Sequence, residues 1–259
     1  MKTGISTRCF ISRYETEDGI ALLKECGAET CEIFLRTFYE YRPEFAKKYA
    51  EKLSGAKVNL ISAAPYNFEA QLFSPSRRVR GDGFYWLDQI LRSAQFFGAE
   101  NYAFGGLGVR EDICGNIDYA AERLREIISF CARYGVRFCL ENSTNGLYAR
   151  PFVFTELKRR CPELYGVLNI ESARKSGYPY QMYIKDMADC ILSVKITDFN
   201  IGGTSADSGN GALSLEEVLA NLKDSGFDGT VLIETQDFED NESISKSLEV
   251  LNETVQKLS

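Results

Sequence analysis

Gly135-Val-Arg-Phe-Cys-Leu-Glu-Asn142 is the stretch from which the rest of this chain can be read. Val136 to Leu140 is close to a continuous apolar run, as expected of a parallel strand covered on both faces, and it stops at a carboxylate and an amide. Upstream, Ile117–Tyr134 has helical apolar spacing and ends at Gly135, a residue suited to leaving a helix. Downstream, Pro151–Arg160 predicts a helix and Tyr165–Ile170 a second strand. The repeating unit is therefore a buried strand, a polar strand end and a covering helix.

The same unit recurs in both directions. Toward the amino terminus, strands are predicted at Thr3–Thr7, Glu29–Leu35, Val58–Ser62 and Asn101–Phe104, with helices at Glu17–Cys26, Glu44–Leu53 and Gly83–Phe97. Gly27 and Gly98 stand where left-handed helix ends are expected, and Pro43 stands at a favourable first-turn position. Toward the carboxyl terminus follow strands Ile191–Thr197 and Thr230–Glu234, with helices Tyr180–Asp189, Ser214–Ser225 and Glu242–Leu258. Eight strands, each followed by a helix, predict right-handed crossovers and either a closed barrel or a doubly wound sheet. The count of eight, with 259 residues against the roughly 250 typical of such barrels, favours a single α/β TIM-barrel domain over residues 1–259. Sites in such barrels lie at the carboxyl ends of the strands. That directs attention to Arg8, Glu32, Ser62, Glu141, Asn169, Lys195 and Glu234.

The chain contains no histidine, which removes Ser-His-Asp and Cys-His systems, His-x-x-x-His zinc sites and imidazole acid/base chemistry. A net charge of -7 offers no basic face for phosphate backbones, so nucleic acid is not an expected partner. No apolar run approaches the roughly 20 residues that span a bilayer and no signal segment is evident, so a cytoplasmic location and no membrane partner are expected. The eight cysteines lack any C-x-x-C pair and read as reduced, mostly buried thiols.

Taken in order, several segments resemble the xylose-isomerase-like TIM barrels, the superfamily of sugar and sugar-phosphate isomerases and epimerases related to endonuclease IV. Gly135 to Asn142 is similar to the family's "gv.l.lEN" strand, and Gly166-Val-Leu-Asn-Ile-Glu-Ser172 to "g..lD.gH". Ile191 to Asp198 resembles "i.hvHlkD", Ser208 to Gly211 the Gly-rich turn, and Gly226 to Glu234 "gY.G.l.lE". In the family's sugar epimerases a divalent metal is held by Glu, Asp, His and Glu, and the two glutamates also move protons. The resemblance carries these four positions to Glu141, Asn169, Lys195 and Glu234, so only the glutamates persist. A metal site is thus expected to be degenerate, with no cofactor, although the resemblance keeps a divalent Mn, Mg or Zn ion open. The histidines that would complete a trinuclear zinc centre are replaced as well, which points away from DNA repair.

An amide keeps one acceptor and a protonated lysine has none, so a hard divalent ion would be poorly held by this set. The expectation is that the Lys195 ammonium approaches the vacated metal position, compensated by Glu141 and Glu234. Proton transfer between these two glutamates would then give a sugar or sugar-phosphate isomerase or epimerase, with Lys195 as the electrostatic partner. Two other readings stand beside it: a non-catalytic sugar-binding barrel whose charged group is an inert internal salt bridge, and a Schiff-base lyase with Lys195 as nucleophile. The expected partner is a small sugar or polyol, with phosphorylation and oligomerisation left open. Arg8, Tyr66, Asn169, Arg174 and Asp198 are the candidate substrate contacts, although Asp198 reads more readily as a turn or helix cap. Phe68 and Trp86 could face a sugar ring or simply pack. The Arg77-Arg-Val-Arg80 run reads as the start of a helix face rather than a phosphate cradle.

Overall fold

A computed structural model describes residues 1–64, 68–105, 116–197, 214–235, 238 and 240–258. Eight strands pair in sequence order, all parallel, and β8 returns to β1 to close the barrel. They are β1 (Lys2–Ser6), β2 (Thr30–Leu35), β3 (Lys57–Ala63), β4 (Asn101–Phe104), β5 (Arg137–Glu141), β6 (Tyr165–Asn169), β7 (Ile191–Ile196) and β8 (Thr230–Ile233). The covering helices are α1 (Thr16–Glu25), α2 (Pro43–Tyr49), α3 (Arg77–Phe97), α4 (Ile117–Ala132), α5 (Pro151–Arg160), α6 (Tyr180–Met187), α7 (Leu215–Asp224) and α8 (Asn241–Leu258). The expectation of a closed (β/α)8 barrel holds over a doubly wound sheet. Among the described residues no helix is long and apolar enough to cross a membrane.

Alternation along each strand divides the apolar residues into two cores. Outward residues such as Ile61, Tyr102, Leu140, Val194 and Val231 pack under helix residues including Leu87, Leu91 and Leu124. Leu60, Ala103, Cys139, Val167 and Leu232 instead form a separate, fully buried layer, filling the barrel in the way a parallel barrel must be filled to exclude water. Two register shifts adjust this layering, one between Cys31 and Glu32 and one between Gly166 and Val167. Gly4 and Gly229 serve close approach of neighbouring backbones: a Cβ on Gly4 would lie 2.2 Å from the Thr30 carbonyl oxygen, and one on Gly229 2.3 Å from that of Leu192.

Many element edges shift from the sequence reading, three of them informatively. Helix α3 begins at Arg77 instead of Gly83, so the Arg77–Arg80 run is its first turn. Gly81 and Gly83 look like breakers in sequence, yet Gly83 lies where a Cβ would meet Leu72 N at 3.1 Å, against the short helix Glu69–Leu72. Strand β6 stops at Asn169, and the chain turns directly into a second short helix, Ile170–Ser176. Helix α4 ends at Ala132 and passes through Gly135 at φ 72°. The seven described cysteines are buried free thiols, and Cys114 lies outside the described residues.

Candidate functional site

Two residues beyond the apolar plug, about 7 Å further along the strands, the inward positions turn polar. Leu60 gives way to Ser62, Cys139 to Glu141, Val167 to Asn169 and Leu232 to Glu234, while on β7 Lys195 follows Ser193, which is already polar. Glu32 joins them from β2, beside the register shift that follows Cys31. All six residues are buried.

Lys195 is the hub. Its Nζ lies 2.8 Å from Glu32 Oε1, 2.9 Å from Glu141 Oε2 and 2.9 Å from Glu234 Oε1. An ammonium has three N–H donors, and these three carboxylates account for all of them. Burial alone would push Lys195 down, but Glu141, Glu234 and Glu32 outweigh it and hold the ammonium well above the ordinary lysine range. Ser62 Oγ donates to the same Glu32 oxygen that receives Lys195, while Glu32 Oε2 has no partner among the described residues.

Asn169 supplies the second bridge. Its Nδ2 donates to Glu141 Oε1 at 2.8 Å and to Glu234 Oε2 at 2.9 Å. The amide is not free to turn its oxygen inward, because Oδ1 accepts the Ser172 backbone N–H at 3.0 Å as the cap of the Ile170–Ser176 helix. Asn142 fixes the Asn169 backbone in turn, accepting its N–H at 2.6 Å and donating to its carbonyl at 3.0 Å. Each catalytic candidate therefore has one oxygen on the ammonium and the other on the amide.

The two glutamates nevertheless differ. Burial raises the Glu141 carboxyl above the usual carboxylate range, helped by Glu234 and Glu32 and opposed by Lys195. Burial acts on Glu234 in the same sense, but there Lys195 and then Arg8 prevail and lower it. Arg8 makes the distinction: its terminal nitrogen stands 3.4 Å from Glu234 Oε1, and its guanidinium lies over the Phe34 ring at 4.9 Å.

A divalent ion does not fit this arrangement. The carboxylate oxygens that would ligate it receive the ammonium, and Asn169 presents donors where an acceptor is required. Among the described residues no group of three or more His, Cys, Asp or Glu is arranged to hold a metal ion.

The other sequence candidates separate. Arg8 and Asn169 join Glu141, Lys195 and Glu234 in one cluster, whereas Arg174 pairs through two nitrogens, each at 2.9 Å, with Glu171 on its own helix. Lys175 reaches the same carboxylate at 2.9 Å. Tyr66 and Asp198 lie outside the described residues. Phe68 is fully buried against Tyr41 and serves packing, whereas Trp86 is half-buried with its ring 4.4 Å from that of the exposed Phe38. Glu32, like Ser62, is a cluster member to which the sequence assigned no role. Its signal was a carboxylate inside the apolar strand Thr30-Cys-Glu-Ile-Phe-Leu35, where an unpaired charge would be prohibitively costly.

A closed parallel barrel with a charged cluster at the carboxyl end of its inward strand faces defines the class of TIM-barrel proteins that carry their site at that face. Residues 20–164 match the xylose isomerase-like TIM barrel family, and the chain belongs to it. No curated protein matches the chain. Among solved structures, it is similar to a D-tagatose 3-epimerase-like protein at 21% identity and a TM-score of 0.79, covering 100% of both chains. It is also similar to D-psicose 3-epimerase with D-tagatose from Clostridium cellulolyticum H10 (14%, TM-score 0.77, 99% of both chains). An L-ribulose 3-epimerase matches at 16% identity with a TM-score of 0.76, over 100% of this chain and 97% of that one.

Proposed function

We propose that the protein is an isomerase or epimerase of sugars, free or phosphorylated, which moves a proton between Glu234 and Glu141 beside a ketose carbonyl. The whole of residues 1–259 is taken as that one unit, working in the cytoplasm. The observation that carries the reading is the pair of buried glutamates bridged by one ammonium and one amide, whose surroundings shift their proton affinities in opposite directions. Paired groups whose surroundings drive their proton affinities apart are suited to acid and base roles. Glu234, kept ionised, takes the proton from carbon; Glu141, the more basic carboxylate, carries the proton that returns. The similar solved structures named for ketose epimerases support the substrate class.

Lys195 acts in this scheme by holding both carboxylates in place. The three contacts that hold it protonated oppose a Schiff-base role, since a nucleophilic amine must first lose its proton. One observation favours a second reading, a sugar-binding barrel without turnover: all four oxygens of Glu141 and Glu234 are already engaged. A panel of ketopentoses and ketohexoses, free and phosphorylated, separates the two. Incorporation of solvent deuterium beside the carbonyl, lost in Glu141→Gln and Glu234→Gln, is expected of the enzyme. A rise in melting temperature with a sugar and no deuterium in it would establish the binding barrel instead.

A further inference from the structure

The ammonium at the centre of the site meets one carboxylate more than a proton shuttle between two glutamates requires. The third is Glu32, and its place differs from theirs. Side-chain exposure rises from 0% at Glu32 through 2% at Lys195 to 4% at Glu234 and 9% at Glu141, so Glu32 meets the ammonium on its dry side. A side chain sealed in this way does not touch a substrate. Whatever it contributes passes through Lys195.

The setting of Glu32 is lopsided. The register shift after Cys31 pairs it with the inward Leu60, and its Oε1 then receives both Lys195 Nζ, at 2.8 Å, and Ser62 Oγ. Its Oε2 is buried and has no hydrogen-bond partner among the described residues. A buried carboxylate oxygen without a donor is costly, so stability alone does not account for a charge at this position. Geometry accounts for it better. An ammonium has three hydrogens, and with two glutamates alone the third would turn to water or let Nζ drift toward one partner. With Glu32 present, Nζ stands 2.9 Å from Glu141 Oε2 and 2.9 Å from Glu234 Oε1.

We propose that Glu32 is a positioning residue: by taking the third hydrogen of Lys195 from the dry side, it holds Nζ midway between Glu141 and Glu234 and keeps the ammonium from pairing with either one alone. Its effect on turnover rests on the proton-transfer reading, whereas its hold on the ammonium does not. An ammonium drawn to one glutamate leaves the other loosely placed, and a misplacement of about 1 Å can cost a reaction about 10²-fold.

Two substitutions separate place from charge. Glu32→Gln keeps the length and an acceptor oxygen but loses the charge, whereas Glu32→Asp keeps the charge and retracts the carboxylate by one methylene. In spectra of nitrogen-15 lysine, assigned with Lys195→Met, Glu32→Asp should speed exchange of the Lys195 hydrogens by about tenfold, as for loss of one charge-assisted hydrogen bond, while Glu32→Gln stays within about threefold of wild type. Deuterium incorporation from the ketose panel should follow the same order. It should fall by about 10–10²-fold in Glu32→Asp with KM within about threefold, and largely recover in Glu32→Gln. Should one variant not fold, the other is read against wild type by the same expectations. The reverse order in the lysine spectra, or exchange unmoved by Glu32→Asp, would overturn the positioning role, because a residue that only balances charge is better replaced by Asp than by Gln. Faster lysine exchange with undiminished deuterium incorporation in Glu32→Asp would overturn its effect on turnover and leave the two glutamates standing. Absence of deuterium in every sugar with wild type would overturn the proton-transfer reading, and the lysine spectra would still decide whether Glu32 holds the ammonium.

Discussion

The barrel interior has two floors built from the same strands, and they obey different physics. The lower floor, Leu60, Ala103, Cys139, Val167 and Leu232, is a dry plug stabilised by packing. The upper floor, Glu32, Ser62, Glu141, Asn169, Lys195 and Glu234, is as deeply buried but made of charge and hydrogen bonds. Burying charges costs more than it returns unless every partner is present, whereas an apolar plug tolerates loss in proportion to the volume removed. A polar floor maintained directly above an apolar one is therefore better explained by chemistry than by stability.

Substitution should expose that difference. Lys195→Met leaves three buried carboxylates with no central cation and should lose about 3–5 kcal/mol in denaturant unfolding. That loss should shrink toward pH 5 as the carboxyls take up protons. Leu232→Ala, one step below, should cost about 2–5 kcal/mol by cavity formation, unchanged between pH 5 and 8. If both losses responded alike to pH, the division into two floors would be mistaken.

Smaller effects sharpen the same contrast. Glu234 has its proton affinity lowered in the folded state, so its contribution is present above the unfolded carboxyl range and fades as pH falls through the folded value. Glu141 has it raised, so it costs stability as pH rises from the unfolded toward the folded value. Glu141→Gln should thus cost less stability at pH 8 than Glu234→Gln, which should lose about 1–3 kcal/mol, as read by melting at several pH values. Reversal of that order would contradict the assignment of acid and base.

How much of this was legible in the sequence follows the same division. Alternating apolar runs and helical periods, such as Val136–Leu140 after the α4 pattern, reflect local chemistry, and they led to the barrel directly. Glu141, Lys195 and Glu234 were legible because each ends or interrupts an apolar strand in a recognisable motif. Glu32 was not assigned, because a register shift after Cys31 decides which strand positions it faces across the barrel, and single-strand alternation does not reveal it. The amide orientation of Asn169 was hidden too, since it depends on Ser172 in the next helix. Arg8 was marked only as a possible substrate contact; its stacking on Phe34 and its approach to Glu234 join residues far apart in the chain.

The central claim is that a permanently charged Lys195 ammonium organises the two glutamates. Nitrogen-15 labelling of lysine, with Lys195→Met to assign the signal, reads this without any substrate. The raised proton affinity predicts that its stabilising effect is full below the unfolded lysine value of about 10.4 and lost only as pH climbs through the still higher folded value. A slowly exchanging ammonium signal that persists unchanged through pH 10 is the expected result. A Lys195 signal that titrates to the neutral amine below pH 10 would contradict the account.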